Sequence, residues 1–218
     1  MVVLPGADGS TVDQLTGQIV AAGGTVTATY YAQEQLVAPD EKSLVDTLGS
    51  QLEQQVEGIE VADDATTYDR IGQLLGSAVA TTEPEGNETD QDTVTVVDSL
   101  GGAGLVEAST AAQRRAPLVL VVLGSDRGTE SDLITEGIVG GLADTAVGVV
   151  VAGTTASADE GGNLTRLRGS PVAAGLTTTD GVDGPAGQAT AVFALIRSLS
   201  MVGGAFGAAG ADGAVPLG

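Results

Sequence analysis

The amino-acid sequence predicts an α/β fold, Rossmann-like, with a mostly parallel sheet covered by helices on both faces and a helical insertion around residues 40–100. Two apolar runs, Leu118–Leu123 and Val147–Val151, carry that expectation, because strands apolar on both sides belong to sheets covered on both faces. These runs alternate with segments of helical period, which points to crossover connections. The opening of the chain, finally, reads as strand, helix, strand.

Val2-Val3-Leu4 is a short buried strand that stops at Pro5-Gly6. Asp8 or Ser10 then offers a helix N-cap, Val12, Leu15, Ile19 and Val20 recur at helical spacing, and Gly23-Gly24 ends the helix. Thr25-Val26-Thr27-Ala28-Thr29-Tyr30 is rich in β-branched residues and reads as the next strand, parallel to the first across its helical crossover. A helix capped at Asp40 follows, with Leu44, Val45, Leu48, Leu52 and Val56 on one stripe, then a loop from Gly58 to Thr66. A second helix carries Tyr68, Ile71, Leu74, Leu75 and Val79.

The acidic, turn-rich stretch 81–92 reads as a mobile loop, the best place to divide a chain otherwise read as one domain over 1–218. Beyond it come a helix over Thr93–Leu100, an edge strand at Leu105–Ala108, the central strand Leu118–Leu123, a helix over Thr129–Leu142 and the strand Val147–Val151. Ala173–Thr179 is ambiguous, and Ala186–Met201 is a helix. The Gly/Ala-rich tail 203–218 is of low complexity and expected to be loosely ordered.

Composition narrows the function classes. A formal charge of −21 opposes any phosphate-backbone contact and excludes nucleic acid as a partner. The chain has no Cys and no His, which removes disulfides, thiolate nucleophiles, the commonest general base and the commonest metal ligand. No apolar run reaches the ~18 residues of a transmembrane helix. Five aromatics, Tyr30, Tyr31, Tyr68, Phe193 and Phe206, are too few for the girdles of a transmembrane barrel. Because the chain opens inside a strand pattern, an N-terminal signal or membrane anchor is expected ahead of Met1, removed from the chain in hand.

In open α/β sheets ligands bind beyond the carboxyl ends of the strands. That rule brings together the loops at 6–10, 124–129 and 153–155, with Asp8, Ser10, Ser125, Asp126, Arg127, Thr129 and Thr154 as candidate ligand-binding residues. Neither of the first two loops matches G-x-G-x-x-G or the phosphate-cradling G-x-x-x-x-G-K-[ST], and all of them also read as plain turns and helix caps. Ser125 as a nucleophile would need Lys42 or a raised carboxylate as its base, so no catalytic residue is assigned. Asp63-Asp64 and the pair Asp180 and Asp183 read as solvated turn acids. The triplets at Asn87 and Asn163 read as chance glycosylation matches. For copper the chain offers only Met1 and Met201, with Met201 the metal candidate.

The opening Val2-Val3-Leu4-Pro5-Gly6-Ala7-Asp8 and Ala21-Ala22-Gly23-Gly24-Thr25-Val26-Thr27, the central Asp69-Arg70-Ile71-Gly72-Gln73-Leu74-Leu75-Gly76, and the late Gly184-Pro185-Ala186-Gly187-Gln188 with Val192-Phe193-Ala194-Leu195 resemble the actinobacterial MctB family, the mycobacterial copper transport protein B group. The resemblance implies an envelope protein, outer-membrane or periplasmic, with an N-terminal hydrophobic anchor and a part in copper efflux and tolerance. Family members can carry His residues near the C-terminus; Gly203–Gly218 has none, and no functional residue carries over.

The expectation is therefore a non-enzymatic envelope protein in copper homeostasis, with no cofactor beyond the copper the resemblance implies. Its partners would be copies of itself or another envelope protein, and it would touch the membrane only through the missing anchor. Two alternatives stand beside it: a Rossmann-like small-molecule-binding domain or enzyme using the three loops, and a structural interaction module with no metal role.

Overall fold

The computed structural model describes residues 1–216 of the chain. In chain order its strands are β1 (Val2–Val3), β2 (Tyr30–Ala32), β3 (Asn87–Glu88), β4 (Val106–Ala108), β5 (Arg114–Arg115), β6 (Leu118–Val122), β7 (Gly148–Ala152), β8 (Thr177–Thr179) and β9 (Gly204–Phe206). Seven of them form one sheet in the order β4-β2-β1-β6-β7-β8-β9. Every neighbouring pair in it is parallel except β2 with β4, the antiparallel edge. The apolar run at Leu118 is the central strand, as its composition predicts, and Val106–Ala108 is the expected edge.

The helices are α1 (Gly9–Ala21), α2 (Glu34–Val37), α3 (Lys42–Gln55), α4 (Thr67–Val79), α5 (Gln91–Gly102), α6 (Thr129–Thr145), α7 (Asn163–Arg168) and α8 (Pro185–Ser198). Strand side chains alternate between two cores. Val3, Leu120, Val122, Val150 and Ala152 pack with Val12 and Leu15 of α1 and with Ala191, Ala194 and Leu195 of α8. Val2, Leu4, Val119, Val121, Val149 and Val151 face the other way, in a larger core with Ile138 and Leu142 of α6 and the insertion helices α3, α4 and α5. The sheet is thus covered on both faces, which is why its central strands β6 and β7 carry no polar side.

The insertion is held by small residues. Gly72 of α4 meets Gly137 and Gly141 of α6, and Gly76 meets Leu142 and Thr145, so closely that an added methyl at Gly141 would crowd the Asp69 carbonyl and the Gln73 amide. Two such pairs at i, i+4 let backbones approach without side-chain bulk between them.

Four expectations are corrected. The strand expected at Thr25–Tyr30 has its regular ladder at Tyr30–Ala32, because β1 on one side and β4 on the other lie against those residues. Asp40 sits in a 3₁₀ turn, Pro39–Glu41, without capping α3. The stretch 81–92 is not loop throughout: β3 pairs with β5, and Asp90 and Thr93 form a reciprocal cap on α5. The tail is built into the sheet, since β9 pairs parallel with β8 and the Gly207 N–H donates to the Gly213 carbonyl. Residues 217 and 218 of that tail lie outside the described residues.

Candidate functional site

Chain reversal puts β1 and β6 side by side, with α1 following β1 onto one face and α6 following β6 onto the other. This is the switch point where a doubly wound sheet opens a crevice. The loops after these two strands do meet, as the sequence predicts, but they close on each other. Gly6, held at φ +86°, lies so near Ser125 that a methyl there would overlap its Oγ, and a methyl on Gly124 would overlap the Pro5 carbonyl oxygen. Between these two loops the hollow beside Leu4, Ser125, Asp132 and Asn163 is about 30 Å³, enough for about one water molecule, and a further hollow of about 240 Å³ lies on the β2 side, lined by Gly6, Ala7, Gly9, Tyr31 and Glu34.

Five of the seven candidate side chains in these loops have a structural partner, and those of Ser125 and Thr129 are exposed. Asp8 caps α1 by accepting from the Thr11 N–H at 2.9 Å, and Ser10 donates to the same carboxylate. The Ser10 hydroxyl and then the Thr11 amide hold the Asp8 carboxyl below its ordinary range. Asp126 accepts from the Gly128 N–H at 2.8 Å and from Arg166 Nη2 at 2.8 Å, and these two bonds, the amide first, lower its pKa as well. Arg127 pairs with Glu34. Thr129 is the first residue of α6, whose N-cap, Gly128, makes no side-chain bond. Thr154 accepts from the Ser157 N–H at 3.2 Å, and its carbonyl accepts from Ser157 Oγ at 2.7 Å. Lys42 lines a separate groove along α4 and α6, so Ser125 does not acquire the lysine base its chemistry would need.

Sequence reasoning missed the arginines that organise this end of the sheet. Arg166 reaches Asp126, Asp132 and the Gly161 carbonyl, and its bond to Asp132 does most to keep the guanidinium protonated. Arg168 donates to Thr178 Oγ1, Asp180 Oδ2 and the Phe206 carbonyl. The available signal was their scarcity: two of eight basic residues fall two apart on one short helix of a strongly acidic chain.

The paired carboxylates do not converge. Asp180 is buried on Arg168 and on the Ala208 and Ala209 amides, whereas Asp183 accepts from the Thr155 N–H at 2.7 Å and from its hydroxyl. Asp63 and Asp64 are exposed in a turn. Among the described residues no three His, Cys, Asp or Glu side chains gather as a metal site.

Copper as cargo fares no better by donor chemistry. Met201 is exposed, and its thioether sulfur already accepts from Arg197 Nη2 at 2.8 Å, which sets a fixed positive charge where a cation would have to sit. Met1 lines another groove, against Ile196 and Leu199. Among the described residues no helix is long and apolar enough to cross a membrane.

No curated protein matches the sequence. The order of motifs along the whole chain is the remaining guide, and it leads to one family: the model described as copper transport outer membrane protein, MctB, matches residues 1–216, and the chain belongs to that family.

Proposed function

We propose that the protein serves copper efflux and homeostasis in the cell envelope as a non-enzymatic domain, working through assembly with copies of itself or with an envelope partner and not by ligating copper. Membrane attachment, in this reading, comes from an N-terminal anchor ahead of Met1. One combination carries the proposal: family membership runs the length of residues 1–216, while the chain has no His or Cys and its exposed thioether is bonded to a guanidinium. The closure of Gly6 and Gly124 over the switch point counts against the small-molecule alternative. An apolar outer face on α8 and its C-cap, with Phe193, Ile196 and Leu199 each about half exposed, supports assembly.

The test is complementation of copper tolerance in a deletion strain, together with a calorimetric Cu(I) titration of the purified chain. Restored tolerance with Met201→Leu as with the native residue, and no stoichiometric heat, is the expected outcome. Tight one-to-one binding abolished by Met201→Leu would reverse the proposal.

A further inference from the structure

Charge is spread unevenly over the two helical layers. Each of α3, α4, α5 and α6 carries acids, with Glu130, Asp132, Glu136 and Asp144 all on α6. On the opposite face α1 carries a single acid, Asp13, and α8 carries none, with Arg197 as its one charged residue. In a chain of formal charge −21, this is a face that two copies can share without stacking carboxylate on carboxylate.

The outward side of α8 has a spacing of its own. Ala186, Phe193 and Ile196 are exposed and Ala189 is half-buried, while Ala191, Ala194 and Leu195 are turned into the core. The outward four recur at intervals of three, four and three residues, which is the seam of a coiled coil, and none of them is charged.

The seam is also graded in size, with two alanines in its first half and Phe193 and Ile196 in its second. Its positions are symmetric about residue 191, so a second copy laid antiparallel on the first sets Ala186 against Ile196 and Ala189 against Phe193. Large side chains then enter the space left by small ones, in both directions at once, as a self-complementary two-fold contact requires. A parallel pair would set Phe193 against Phe193 and leave the alanines facing each other. Charge favours the same arrangement. Asp183, ahead of α8, and Arg197, in its last turn, differ in sign, so antiparallel copies bring unlike charges together at both ends of the contact.

An anionic lipid surface fits this face less well. Lys42, the one lysine, lies on α3, and Arg197 is already committed to the Met201 and Gly203 carbonyls.

We propose that α8 is a self-pairing helix: two copies of the chain meet antiparallel along Ala186, Ala189, Phe193 and Ile196, across a two-fold axis beside residue 191. The inference rests on the assembly half of the copper reading and names the surface that assembly uses.

Sedimentation equilibrium of the full chain tests it, at physiological salt so that the net charge is screened. The native chain is expected to dimerise. Phe193→Glu and Ala189→Lys, both at outward positions, are each expected to weaken the dimer about thirtyfold or more, the weight of one interface hot spot, with unchanged far-UV circular dichroism. Mixed in equal amounts, the two variants are expected to form a dimer about tenfold tighter than either forms alone, because position 189 of one copy faces position 193 of the other only when the helices run antiparallel. A dimer that persists undiminished in Phe193→Glu, or no recovery on mixing, overturns the α8 pairing and leaves self-assembly to another surface. A native chain that stays monomeric at millimolar concentration overturns the pairing and self-assembly together. A monomeric native chain that sediments with phosphatidylglycerol vesicles, and loses this in Phe193→Glu, overturns the pairing in favour of a lipid surface.

Discussion

Arg168 and Asp180 form a buried ion pair at 3.1 Å, with side chains 12% and 2% exposed. Arg168 stands at the end of α7 and Asp180 directly after β8. Asp180 also accepts from the Ala208 and Ala209 amides, and Arg168 donates to the Phe206 carbonyl, so the pair fastens β9 and the turn after it to the sheet. Removing one partner strands the other charge, whereas removing both does not. Asp180→Ala is therefore expected to cost about 3–5 kcal/mol, and the Arg168→Met, Asp180→Leu double substitution distinctly less than the sum of the two singles. Urea unfolding gives these values, and limited proteolysis should show cleavage at 207–213 in Asp180→Ala first.

The α4–α6 crossing depends on glycine. Gly141→Val adds bulk against the Asp69 carbonyl and the Gln73 amide, neither of which can move without breaking a helix. The expected loss is about 1–3 kcal/mol or more, read as a drop in Tm, while Gly17→Ala, which meets open space on the exposed side of α1, should hold or raise stability.

Two kinds of group set the pH profile, and both favour the folded state as pH rises. Between about 5 and its ordinary 8.0 the Met1 amine is protonated in the unfolded chain and neutral in the folded one. The unfolded state then binds more protons, so stability climbs through that window by an amount on the order of a few kcal/mol, levelling above it. Acetylation of Met1 should flatten this rise. Asp90, Asp126 and Asp183 have pKa values lowered chiefly by backbone N–H groups of Thr93, Gly128 and Thr155. Their contribution is present above the ordinary carboxylate pKa of 3.8 and is lost as pH falls through the depressed folded values. Denaturant midpoints from pH 3 to 9 on native and acetylated chains separate the two.

Because the switch point is closed, neither nucleotides nor inorganic phosphate should raise Tm at millimolar concentration. A shift of several degrees that disappears in Asp126→Asn would show the loops opening to a ligand.

Much of the fold is legible along the chain because it rests on local regularities. Leu118–Leu123 is apolar at every position, so no register can put it at a solvated face, and it is read as a central strand from composition alone. Gly204–Phe206 carries no such mark: its conformation is imposed by β8 and by the Asp180 carboxylate, which binds amides 28 and 29 residues downstream. Thr25–Thr29 has strong β-propensity, yet its ladder is confined to where β1 and β4 lie beside it. The meeting of the loops at Gly6 and Gly124 follows from topology, whereas their closure follows from two Cα positions too near for a methyl group.

By itself the sequence determined the layer architecture and the chemistry this protein lacks, since periodicity and the absence of His and Cys are properties of neighbouring residues and of the residue inventory. The tertiary structure alone decided that the loops after β1 and β6 close on each other, that Arg168 finds Asp180, and that glycines let α4 settle on α6. Each of these depends on strand register and helix crossing, which bring atoms distant in sequence to within a few ångströms, and no local pattern encodes such distances.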